Sequence, residues 1–266
     1  MIKRLLLVFV VTVSLFICPV ASSRIRVDQE TEKELKEARR VTASFLTRMT
    51  RSRDIGALKD LYVDDFGKRY IASGFGDIGS SVILNDNLKT QATAVDWERY
   101  YAAQVSLRYC LVLHLISTFT PDQIRSLDTN GIKGENPLVP PELFAVLDTS
   151  PFLVWDYRKD NPAAERDVKT VEEFRGLIAV LEKATALMRE RFKKKAPEQS
   201  ANYRSTIASI NEGPAPALQV YDREMFGFPP GTHFFRALTQ PQLFELLLVK
   251  TDDGMKVAFA RVYPFN

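Results

Sequence analysis

Two histidines, His114 and His233, are the side chains of this 266-residue chain whose ordinary pKa lies near neutrality, so acid–base chemistry would be sought there first. His233 stands in Met225-Phe226-Gly227-Phe228-Pro229-Pro230-Gly231-Thr232-His233-Phe234-Phe235. Four phenylalanines, two prolines and one histidine thus meet at a bend that leads into a strand. Apolar walls with one titratable group are what a pocket rim requires. A well-packed turn carries the same residue types, because aromatic clusters are mostly core. His233, Phe226, Phe228, Phe235 and the neighbouring Tyr221 are therefore the candidate ligand-binding residues. In a catalytic version of the site, His233 would be general base or acid, helped by Tyr221 or Asp222.

The other chemical candidates read as structural. His114 lies inside the apolar run Tyr109 to Ile116 and suits a hydrogen-bonded place in the core. Cys110, in Tyr109-Cys110-Leu111-Val112-Leu113, reads as a buried small hydrophobe, since a reactive thiolate needs polar or electropositive surroundings. The histidines share no metal-ligand spacing and no cysteine pair accompanies them, so no zinc site is expected. Gly74-Phe75-Gly76-Asp77-Ile78-Gly79 fits a dinucleotide fingerprint by letters, but Ser80-Ser81-Val82-Ile83-Leu84-Asn85 does not continue as the required helix, and the stretch reads as a turn. No cofactor is expected. The chain has no Gly-x-Ser-x-Gly elbow and no His-Glu-x-x-His helix. Asp64-Asp65 and Asp252-Asp253 suit solvated turns. Arg189, Arg191, Lys193, Lys194 and Lys195 close a helix, where cations complement the negative end of the dipole.

The compartment is written at the start of the chain. Lys3 and Arg4 precede a 13-residue apolar run, Leu5 to Ile17, which Pro19 ends and Val20-Ala21-Ser22 follows. That is the layout of a secretory signal, with cleavage expected after Ser22. The run is short of the roughly 20 residues of a membrane span, and an uncleaved anchor is the alternative. Ile17 fills the place before Cys18 where a lipidated cysteine wants a small residue. Localisation is thus secreted or periplasmic, with no membrane span after cleavage. Removal of residues 1–22 leaves 244 residues with 34 basic and 33 acidic side chains, a net +1. That balance lacks the positive excess with which nucleic-acid binders neutralise phosphates. Cys110 would then be the sole cysteine, so the core must hold the fold without an intrachain disulfide.

The elements that would position these residues follow from periodicity. Residues 28–52 read as a helix capped by Asp28, with Leu35, Ala38, Val41, Ala43, Phe45, Leu46 and Met49 recurring at helical spacing. Asp54 caps a second helix carrying Ile55, Leu58, Leu61 and Tyr62. Residues 67–92 read as a long connection. A central helix from Trp97 to Phe119, capped by Asp96, is apolar nearly all round from Tyr109 to Ile116; a strand over Leu107 to Ile116 is the competing reading. Thr120-Pro121-Asp122-Gln123 opens a short helix, Asn130 to Pro141 is a loop, and Pro141 to Leu147 one or two helical turns. Thr170-Val171-Glu172-Glu173 is a capping box opening a helix to about Lys195, and Pro197 starts another towards Ile210. After Asn211-Glu212-Gly213-Pro214 the pattern turns to strands: Leu218 to Tyr221, Thr232 to Leu238, Leu243 to Thr251 and Met255 to Tyr263, the last two flanking Asp253-Gly254. Met255, Val257, Phe259, Arg261 and Tyr263 alternate with Lys256, Ala258, Ala260 and Val262. Both faces are partly apolar, so helices should cover one side while the other closes a pocket or core.

Two phrases carry a family resemblance. Ser52-Arg53-Asp54-Ile55-Gly56-Ala57-Leu58-Lys59-Asp60-Leu61-Tyr62-Val63-Asp64-Asp65-Phe66 resembles the helical entry of the nuclear-transport-factor-2-like superfamily, which includes the SnoaL-like polyketide cyclases. Leu246-Leu247-Leu248-Val249-Lys250-Thr251-Asp252-Asp253-Gly254-Met255-Lys256-Val257-Ala258 looks like its closing hairpin. The resemblance covers about 30 residues and implies a curved sheet wrapped round a conical cavity, with residues 94–210 as a helical insertion. That fold hosts enzymes, small-ligand binders and inert assembly modules, and it transfers no functional residue here.

The expectation is an α+β chain: a signal at 1–22, then one domain at 23–266 whose helix-rich first and middle parts pack on a C-terminal curved antiparallel sheet. The leading function is non-catalytic binding of a small apolar ligand or a protein partner. The alternatives are a hydrolase, isomerase or cyclase of the cone-shaped fold, and a structural envelope protein.

Overall fold

A computed structural model describes residues 29–64, 66, 84, 85, 87–120, 140–152, 167–194, scattered positions between 197 and 208, 215–239 and 244–262. The signal segment, the glycine fingerprint at 74–79, the short helix after Thr120, most of the 130–141 loop and Tyr263 lie outside them. The architecture is α+β: a helical layer against a four-stranded antiparallel sheet at the C-terminal end.

Helix α1 (Gln29–Ser52) buries Ala38, Val41, Thr42, Phe45, Leu46 and Met49, a stripe of alternating three- and one-residue steps. Ala43, placed inward by spacing, is exposed, because Thr42 takes the core-facing position. Asp54 does cap the next element, accepting from the Gly56 amide at 3.0 Å, but Ile55–Leu61 is a 3-10 helix with a kink at Leu58. A five-residue helix, α2 (Asn87–Gln91), precedes the central helix α3 (Ala94–Thr118).

The helical reading of Leu107 to Ile116 holds, since buried residues occur all round α3. Its cap is Thr93, with Asp96 three residues in. The Thr93 hydroxyl accepts from the Asp96 amide, and the Asp96 carboxylate accepts from the Thr93 amide at 3.0 Å. After α4 (Pro141–Leu147), helix α5 (Val171–Lys194) opens with the expected box: Glu173 accepts from the Thr170 and Lys169 amides at 3.0 and 2.8 Å. Helices α3 and α5 are clamped by charge and ring contacts. Arg175 donates twice to Asp96 at 3.0 and 3.1 Å, and Arg99 twice to Glu182 at 2.9 and 2.7 Å. Between these pairs, Phe174 packs on Trp97 and Tyr100.

Strands β1 (Ala217–Val220), β2 (His233–Leu238), β3 (Phe244–Thr251) and β4 (Gly254–Val262) form a meander in sequence order. The β3–β4 turn is centred on Asp252-Asp253, one residue earlier than Asp253-Gly254. Gly254 pairs with Thr251 at φ +103°, a left-handed conformation open to glycine without steric penalty. The even alternation expected along β4 breaks at Ala258. Leu247 faces Phe259 while Leu248 faces Val257, so one extra residue is accommodated there. Met255 and Val257 therefore share a face with Ala260 and Val262, and Phe259 and Arg261 take the other.

That first face meets the helices: Phe244 packs on Phe45 at 6.0 Å and Tyr109 at 5.2 Å, with Phe235, Leu246 and Leu248 beside it. The outer edge of β4 is sealed. The Tyr101 hydroxyl donates to the Ala260 carbonyl and accepts from its amide, both at 2.8 Å, and the Val63 amide donates to the Val257 carbonyl at 3.1 Å. The β1 edge, at the other end of the sheet, carries no strand among the described residues, and Val220 there is 50% exposed.

Candidate functional site: an aromatic layer on the outer face of the sheet

Residues opposite one another in an antiparallel pair share a face. The register groups Gln219, Phe234, Arg236, Leu247, Val249 and Phe259 on the side away from the helices. Phe234, Leu247, Val249 and Phe259 are each at most 3% exposed, so this second face is apolar and covered. Among the described residues the segment laid over it is 221–232, the strap joining β1 to β2. Tyr221 and Phe228 each meet Phe234 edge-on at 5.7 Å. Phe226 stacks on Phe259, with ring centroids 4.7 Å apart and planes 20° from parallel, and meets Phe234 edge-on at 6.5 Å.

The turn that delivers Phe226 is tight. The Met225 amide donates to the Phe228 carbonyl at 3.1 Å and the Phe228 amide returns to the Met225 carbonyl at 2.9 Å. Both central residues have positive φ, +54° at Phe226 and +73° at Gly227. Such a turn favours Asn or Gly first and Gly second. Gly227 meets the requirement, whereas a left-handed phenylalanine costs roughly 1–2 kcal/mol. Complete burial of the ring, worth about 1.5–3 kcal/mol, offsets that cost. Phe226 is thus held in an unfavourable backbone by what its ring touches.

Polar groups border the layer. The Tyr221 hydroxyl donates to Gln219 Oε1 at 2.8 Å, and partial burial holds its phenol above the ordinary range. On the same face Arg236 donates to Glu245 at 2.6 Å.

The structure divides the five candidate residues. Tyr221, Phe226 and Phe228 come together on Phe234. Phe235 lies on the opposite face, fully buried towards the helices. His233, opposite Val220, shares the parity of Phe235 and is exposed, so it does not enter the aromatic layer. Phe234 and Phe259, absent from the candidate set, form its floor. A period-two reading of His233-Phe234-Phe235 carries that signal, because neighbours in a strand point to opposite faces.

The remaining chemical groups are structural in setting. Cys110 is fully buried, burial pushes its thiol up to about 12, and it lies 4.0 Å from the Arg53 carbonyl. His114 is buried, its Nδ1 3.3 Å from the Thr118 hydroxyl. Arg189 pairs with Asp54 at 2.9 Å, Arg191 with Glu142 and Lys193 with Glu190. Asp252 and Asp253 are exposed in their turn. A groove of about 190 Å³ between α1, the 3-10 helix and the β3–β4 hairpin is lined by charged groups including Glu37, Arg40, Asp60 and Lys256. Its Asp60 is taken up by two hydrogen bonds of 2.7 Å from Arg48, which hold that carboxyl below its ordinary range. Among the described residues no three or more His, Cys, Asp or Glu side chains are placed to hold a metal, and no helix is long and apolar enough to cross a membrane.

Comparison with family models, with curated proteins and with solved structures gives no match to this chain.

Proposed function

We propose that this chain is an exported, non-catalytic binding protein that takes a small apolar ligand at the aromatic face of its sheet. The observation that carries the reading is the strap: a second apolar sheet face, floored by Phe234 and Phe259, is closed by a segment whose central residue keeps a left-handed backbone. Strained conformations that persist are concentrated at functional sites. The test is a titration of the native protein with 1-anilinonaphthalene-8-sulfonate, alone and as the Phe234→Leu/Phe259→Leu double variant. Saturable binding at one site, lost in the variant, is expected. Absence of saturable binding by the native protein contradicts the reading.

Export is part of the same proposal and has its own test. The N-terminus of the exported protein should fall near Ser23, and a start at Met1 would mean an anchor. Kinship with the cone-shaped superfamily also belongs to the proposal. It is supported by the meeting of the two phrases that carry the resemblance, through the Val63–Val257 hydrogen bond.

A specific observation favours a second reading, capture of an extended segment of a protein partner. One sheet edge is sealed by Tyr101 and Val63, while among the described residues no strand lies beside β1, where Val220 is exposed. Strand addition uses such an edge. Val220→Pro, which removes a backbone donor, would abolish that binding and leave probe binding on the aromatic face unchanged.

A further inference from the structure

We infer that Phe226 is a built-in occupant of a site for one flat aromatic ring, and that a ligand carrying such a ring enters by displacing it. The inference rests on the binding reading above and specifies its ligand class and its gating.

Three features combine. The Phe226 ring lies nearly parallel on Phe259, with Phe234 edge-on beside it, so the space it fills has a flat floor and an aromatic wall. That geometry accepts a planar π-system and disfavours a branched aliphatic one. The residue filling it is on the chain's own two-residue turn, in a backbone conformation its side chain disfavours, so the contacts of its ring must offset a cost that an ordinary core phenylalanine does not carry. The turn itself is tied by the reciprocal Met225–Phe228 hydrogen bonds, and the strap by the Gly231 amide to the Tyr221 carbonyl at 2.9 Å. The strap can therefore lift its ring while its ends stay fixed in β1 and β2. Tyr221 and Gln219, already hydrogen-bonded to each other, border the layer and offer polar contacts for a substituent on the entering ring.

A site that must first expel its own occupant shows an affinity lowered by the fraction of molecules in which it is open. Removing the occupant should restore that loss. Phe226→Asn does so and places Asn-Gly at the centre of the turn, the pair this turn type prefers. The variant is expected to bind 1-anilinonaphthalene-8-sulfonate at least tenfold more tightly than the native protein at the same single site. An unchanged or weaker affinity overturns the inference.

Because a vacated ring site can bind a probe trivially, the native ring must be watched as well. With 4-fluorophenylalanine incorporated at position 226, the fluorine resonance should move from a buried to a solvent-exposed shift as the probe saturates. Saturable binding with an unmoved resonance would overturn the displacement inference and leave the binding reading intact. No saturable binding at all would overturn both.

Discussion

At the residue scale, charged pairs clamp the helices to one another, and stacked rings line the outer face of the sheet. Asp96 shows the first. It closes the α3 cap through Thr93 and receives two hydrogen bonds from Arg175, and Arg175 first, then the Thr93 donors, hold its carboxyl down at about 2 against an ordinary 3.8. A depressed carboxylate stabilises the fold fully above its unfolded pKa and loses that contribution as pH falls through the folded value. Stability should therefore decline between about pH 4 and pH 2. Asp96→Asn is expected to cost about 1–2 kcal/mol near neutrality and to reduce the acid slope, read from thermal unfolding across that range. A variant with the native slope would remove Asp96 as its source. Cys110 gives a second test: with its thiol raised to about 12, it should react with a thiol reagent only on unfolding, and prompt labelling of the native chain would contradict its burial. His233, exposed at the start of β2, should tolerate His233→Ala within about 1 kcal/mol by denaturant unfolding. A larger loss would make it a structural residue.

At the element scale, the sheet depends on how its edges are treated. The Tyr101 hydroxyl satisfies both backbone groups of Ala260 on the outer edge of β4. Tyr101→Phe keeps the ring contacts with Tyr62 and Phe66 but leaves a buried amide and carbonyl without that partner. It is expected to cost roughly 1–3 kcal/mol in denaturant unfolding; an unchanged midpoint would mean that the hydroxyl is dispensable. Helices were the legible elements. The stripe of α1, the capping box at Thr170 and the apolar circumference of α3 are local patterns, and the structure has helices at each. The strands were legible too, within a residue or so. What needs a partner strand was not legible: the extra residue at Ala258, which moves Phe259 to the outer face, exists only in the pairing with Leu247 and Leu248. Asp96, the cap the sequence suggests, has the right chemistry but stands three residues inside the helix, and Thr93 takes the capping place.

At the scale of the whole molecule, the sheet is buried twice. Its inner face joins the core of α1 and α3 through Phe244, Phe45 and Tyr109, and its outer face is roofed by the strap. The sequence displayed the aromatic cluster of the candidate site. It concealed the division of that cluster between two faces, because ring composition carries no direction until the strand alternation is applied residue by residue. The central claim is that the Phe226 ring, not the backbone of its turn, fastens the strap to the sheet. A double-mutant cycle on Phe226→Leu and Phe259→Leu, followed by denaturant unfolding, measures that claim most directly. A coupling of about 0.5–1.5 kcal/mol is expected for a stacked pair beyond the burial each ring contributes. Strictly additive single variants would show that the two rings do not hold each other, and would contradict the account.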